Sequence, residues 1–62
     1  MKRHRPFYTL YRLREGARTW ERVKLGDGRT YCRTMPEAER EAIRVAQEKD
    51  TVEVTIRRTE KP

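Results

Sequence analysis

TMPEAEREAIRVAQEKDTVEVTIRRT, Thr34 to Thr59, sets a helical period directly beside a strand period, and that junction decides the fold. Thr34-Met35-Pro36-Glu37 has the form of a helix start. The Thr34 hydroxyl accepts from the backbone at Glu37, the Glu37 carboxylate reaches back, and Pro36 in the first turn sacrifices no helical hydrogen bond. From there to about Lys49, residues Met35, Ala38, Ala42, Val45 and Ala46 recur at three- and four-residue spacing and form one apolar stripe. Its small members bring the helix close against a sheet. The other side carries Glu37, Arg40, Glu41, Arg44 and Glu48, with Glu37–Arg40, Glu41–Arg44 and Arg44–Glu48 at helix-neighbour spacing, the pattern of a solvated surface. The period then changes. Val52, Val54 and Ile56 alternate with Glu53, Thr55 and Arg57, so Thr51 to Thr59 is a strand with one buried and one wet face.

Upstream, Phe7 to Arg14 is rich in aromatic and β-preferring residues and stops at Glu15-Gly16, which predicts a first strand and a turn. Thr19 to Leu25 predicts a second strand, Gly26-Asp27-Gly28 a tight hairpin, and Arg29 to Arg33 a shorter third strand. The fold class is therefore α+β: a small βββαβ domain with one helix packed on one face of a three- to four-stranded, largely antiparallel sheet. A right-handed return through the helix would lay the last strand parallel beside the first, in the order 3-2-1-4. Residues 1–6 read as a flexible basic arm, 7–59 as the single domain and 60–62 as a tail. At 62 residues the domain buries only about 60% of the surface its unfolded chain exposes. Dimerisation would supplement so small a core, and a homodimer is expected.

The charge is unevenly placed. Met1 to Thr34 holds ten Lys or Arg against Glu15, Glu21 and Asp27, whereas Met35 to Asp50 holds three bases against five acids. A cationic segment interleaved with Tyr and Trp suits a polyanion. The helix leaves the second sheet face uncovered. If Phe7, Tyr11 and Leu13 point at the helix, as their size suggests, then Tyr8, Leu10, Arg12 and Arg14 point away. If Val23 and Leu25 point in, then Trp20, Arg22 and Lys24 point out beside them. This face, with Arg33 or Arg29 nearby, offers guanidinium forks to phosphates and rings to bases. Arg3 and Arg5 in the arm extend the set along a phosphate backbone or into a minor groove. Two readings of Trp20 stay open. Its ring is either part of this platform or the largest group of the core, turned in by a bulge.

The expected partner is nucleic acid, with duplex DNA favoured over RNA. The alternative is a protein-interaction module or inhibitor that sets the same basic face against an acidic protein. Enzymatic readings fare poorly. His4 is the sole histidine, Cys32 the sole cysteine, and neither has the neighbours of a zinc set or a nucleophile–base pair. Gly26-Asp27-Gly28 lacks the Gly-Lys-Ser/Thr of a phosphate loop, and no cofactor or metal is implied. Cys32 in a short strand defaults to a small buried hydrophobe, and a lone cysteine suits a reducing cytoplasm. The basic start is followed by no apolar run, and no stretch approaches the ~20 apolar residues of a membrane span.

The succession Trp20, Asp27-Gly28-Arg29-Thr30-Tyr31 and Thr34-Met35-Pro36-Glu37-Ala38-Glu39 resembles the N-terminal arm-type DNA-binding domains of tyrosine-recombinase integrases. Those domains place a Trp-bearing strand, an Asp-Gly-Arg/Lys hairpin and a Thr-x-x-Glu-Ala helix start in that order. The resemblance covers roughly Phe7 to Glu48. It implies a three-stranded sheet that enters the major groove, with contact roles at Arg12, Arg14, Arg22, Lys24 and Arg33. The strand Thr51 to Thr59 is an addition to that pattern. The chain also resembles short uncharacterised bacterial and phage proteins of the same strand–helix–strand plan, a likeness that implies no activity.

Overall fold

Strand β1 (Pro6–Arg14) is followed by β2 (Glu21–Arg22), helix α1 (Met35–Ala46) and β3 (Thr51–Glu60) in the computed structural model, which describes residues 6–60. The strands make one antiparallel sheet ordered β2-β1-β3, with α1 against one face: an α+β domain.

The helix start is as expected. Thr34 Oγ1 accepts from the Glu37 N–H at 3.3 Å, and Glu37 Oε1 accepts from the Arg33 N–H at 3.1 Å, one residue behind the cap. Ala38 and Val45 are buried and Ala42 is half-buried, but Met35 and Ala46, expected on the same stripe, are exposed. The helix ends at Ala46, short of Lys49. The Gln47 and Glu48 N–H groups bond to the Arg44 and Val45 carbonyls, and the Thr51 N–H reaches the Glu48 carbonyl at 3.1 Å, turning the chain into β3.

The connection between β1 and α1 differs from expectation. Of the predicted second strand only Glu21–Arg22 enters the ladder, opposite Arg12 and Tyr11. The predicted third strand is reduced to one antiparallel bridge, Cys32 to Tyr8, and it is made with β1 rather than with β2. Between them the chain turns through Leu25 to Arg29, held by Leu25 N–H to the Arg29 carbonyl at 2.7 Å and by Asp27 Oδ1 accepting from the Arg29 N–H at 3.1 Å, with Gly28 at φ +91°. Burial explains the departure. Val23, Leu25 and Cys32 tuck inward beneath α1, so this segment serves as core filling rather than as a hairpin ladder.

That loss of a strand corrects the topology. The last strand does lie beside the first, but antiparallel to it, with Leu10 opposite Ile56 and Phe7 opposite Thr59. A chain that runs along β1, returns once through residues 19–33, and then climbs α1 arrives at the opposite end for β3. One traverse fewer reverses the direction of the last strand, so the right-handed crossover rule for parallel pairs does not apply.

The faces of β1 are also the reverse of the size-based expectation. Leu10, 1% exposed, is at the centre of the core with Val23, Leu25, Cys32, Ala38 and Val45, and Tyr8, Val54 and Ile56 pack against it. Phe7, Tyr11 and Leu13 therefore lie on the open face. Tyr8, Leu10, Arg12 and Arg14 do not. Arg12 fits the apolar row by laying its stem along the sheet and delivering its guanidinium to acids at the core's rim.

Candidate functional site

Arg12 and Arg14, expected on the binding face, are engaged elsewhere. Arg12 Nε donates to Glu21 Oε1 at 2.7 Å and its Nη1 to Glu48, just beyond α1; Arg14 donates through Nε to the same Glu21 and through Nη1 to Asp50 Oδ2 at 2.5 Å. Two guanidiniums thus face three carboxylates, and the cluster ties β2 and the α1–β3 turn to the end of β1. Hydrogen bonds from Arg14 and then Arg12 hold the Glu21 carboxyl below its ordinary value of 4.5, and Glu21 in turn raises both arginines. A carboxylate depressed in the folded state stabilises the fold above its ordinary range, and the contribution is lost as pH falls through the folded value. The melting temperature should therefore drop as pH is lowered from 5 towards 3. Glu21→Gln should flatten that drop while lowering the melting temperature at pH 7; thermal unfolding followed by circular dichroism reads both.

The open face presents a different group. Tyr11 sits opposite Arg22 on β2 and Thr55 on β3. The Arg22 Cζ lies 5.8 Å from the Tyr11 ring centroid, and Arg22 Nη2 donates to the Tyr11 hydroxyl at 3.2 Å. That hydrogen bond lowers the Tyr11 hydroxyl from its ordinary value, and the charges of Arg22 and then Arg57 lower it further. Tyr11, Trp20, Thr55, Ile56 and Arg57 line a shallow cleft of about 410 Å³. Trp20 is 41% exposed, so its indole belongs to this surface rather than to the core. Neither Arg22 nor Arg57 makes an ion pair among the described residues.

The remaining expected positions are scattered. Lys24 is exposed just past β2. Arg33 lines a second depression with Pro6, Phe7, Tyr31 and Thr34, where the Phe7 and Tyr31 rings meet edge to face at 6.0 Å. Tyr8 packs on the core side. Arg3 and Arg5 lie outside the described residues. Arg29, considered as a further contact, is turned to Asp27 and Glu37. Tyr11, Thr55 and Arg57 are additions. The alternation of β3 already marks Thr55 and Arg57 as the wet side of a sheet whose other side is covered by α1, so that signal was present in the sequence.

Cys32 is fully buried and its thiol is pushed up by that burial. Among the described residues no cluster of three or more His, Cys, Asp or Glu is placed to hold a metal ion, and no helix is long and apolar enough to cross a membrane. Comparison with known proteins returns no matching family model, no matching curated relative and no matching solved structure.

Proposed function

We propose that this chain is a small non-enzymatic nucleic-acid-binding protein whose contact surface is the open face of the sheet. The observation that carries the reading is the Tyr11–Arg22 pair beside the half-exposed Trp20, a ring and a cation on one uncovered face with no ion-paired acid among the described residues. Rings give every base a surface to stack on, and a guanidinium gives the adjoining phosphate a forked donor. The duplex preference drawn from the sequence rests partly on Arg12 and Arg14 reaching into a groove, and both are spent on internal carboxylates. What remains on the face suits bases that are already unstacked. Single-stranded nucleic acid is therefore the favoured ligand, with DNA kept as the favoured polymer from the sequence reading.

Arg22, with Arg18 and Lys24 exposed on the same run, supplies about three phosphate contacts. On single strands that number gives a slope of log K against log salt near −2, from about −0.7 per contact. Fluorescence anisotropy with labelled single-stranded DNA, duplex DNA and RNA across salt concentration tests the reading. The expected order is single-stranded DNA first. Duplex binding at least as tight as single-strand binding would leave phosphate attraction without stacking, and no binding of any of the three below about 100 micromolar at low salt would remove the proposal.

A further inference from the structure

Strand β3 is an edge. In the order β2-β1-β3 its outer side meets no other strand among the described residues, and over ten residues it carries neither a proline nor a bulge past Glu53 to discourage pairing. Which groups face outward follows from β1. The Tyr8 and Leu10 main-chain groups bond toward Cys32 and Val23, so the intervening Phe7, Thr9, Tyr11 and Leu13 bond toward β3. Their partners Glu53, Thr55, Arg57 and Thr59 are thus satisfied, and the N–H and C=O groups of Val54, Ile56 and Arg58 point out from the edge.

We propose that this edge pairs with β3 of a second copy about a two-fold axis through Thr55, perpendicular to the sheet. Such an axis keeps the open faces on the same side, so only residues of one face can be opposed. Centring on Thr55 sets Glu53 against the partner's Arg57, and Arg57 against the partner's Glu53, in the non-hydrogen-bonded positions where side chains approach most closely. On the helix side the same register sets Val54 against the partner's Ile56 in the pair that exchanges main-chain hydrogen bonds. Neighbouring registers lose this match. An axis at Ile56 opposes Glu53 to the partner's Thr59 and Val54 to the partner's Arg58, and an axis at Arg57 brings two like charges together. Val52, 63% exposed on this strand, is then partly covered as well.

The joined sheet has a consequence for the open face. Because Tyr11 is opposite Thr55 in each copy, the two Tyr11 rings fall in one row across the sheet, separated by three strand spacings or about 14 Å. Each row end carries an Arg22. Pairing with Glu53 neutralises Arg57 and holds it beside the cleft, leaving Arg22 as the cation of the row.

Complementary charge exchange tests the register without reference to any ligand. In sedimentation equilibrium at tens of micromolar, the wild-type chain is expected at twice 7.5 kDa. Glu53→Arg and Arg57→Glu, both at exposed positions, should each fall to the single-chain mass with unchanged far-ultraviolet circular dichroism. An equimolar mixture of the two should return to the doubled mass, because every 53–57 contact in the mixed pair is again between opposite charges, and the double variant should do the same. A wild-type mass of one chain, single variants that stay paired, or a mixture that stays monomeric would each overturn the proposal. Binding of single-stranded DNA by a monomeric wild-type chain would separate this failure from any failure of the nucleic-acid reading.

Discussion

Leu10→Ala is expected to remove a large share of the protein's folding stability. Leu10 is 1% exposed and sits where Val23, Leu25, Cys32, Ala38 and Val45 converge, so truncation leaves a cavity that the short β2 and the turn after it cannot close without giving up their own contacts. Large-to-small changes at such sites cost about 2–5 kcal/mol. Against the total stability of about 3–9 kcal/mol that a chain of this length commands, that is a substantial share. Urea unfolding followed by circular dichroism measures the loss. Leu13→Ala is the necessary comparison, because Leu13 is half-buried on the opposite face and should cost well under half as much. The reverse ranking would return β1 to the orientation that side-chain size alone suggests, with Tyr11 and Leu13 against the helix.

Trp20→Ala should show the opposite profile. Trp20 is not among the residues packed on the core, and it is 41% exposed, so folding should survive while single-strand affinity falls by about 1–3 kcal/mol, roughly five- to 150-fold. Arg22→Gln should weaken the same binding and reduce the salt slope by one contact. Arg12→Gln should behave differently. It breaks the bonds to Glu21 and Glu48, so it should lower the melting temperature and leave the affinity of the remaining folded protein unchanged. Equal losses of affinity from Arg12→Gln and Arg22→Gln would mean that binding follows bulk positive charge rather than the arrangement around Tyr11.

The contrast between those two arginines marks the limit of what the sequence discloses. The capped start at Thr34, the Ala38–Ala42–Val45 stripe and the alternation of β3 depend on neighbours three or four residues away at most, and all are legible. So is the inward turn of Val23 and Leu25. The orientation of β1 is not, because Phe7 to Arg14 carries large groups on both alternating sets and the deciding fact is remote. Arg12 can occupy the apolar row only because the end of α1 brings Glu48 over it and β2 brings Glu21 beside it. The direction of β3 was hidden for a related reason. Asp27-Gly28 looks like a hairpin turn locally, and only the joint burial of Val23, Leu25 and Cys32 shows that the segment it closes is a core plug rather than a third strand. The aromatic and cationic character of the uncovered face was readable as a composition, whereas its members, Tyr11 in place of Tyr8 and Arg57 in place of Arg12 and Arg14, depended on that one strand's phase.

The most direct measurement is an amide and indole chemical-shift titration of the isotope-labelled protein with a short single-stranded thymidine oligonucleotide. The account predicts saturable shifts concentrated at Tyr11, the Trp20 indole N–H, Arg22 and Thr55, with the Ala38 to Val45 amides of α1 unmoved. Shifts centred on α1, or on Arg12 and Arg14 with the Trp20 indole still, would contradict it.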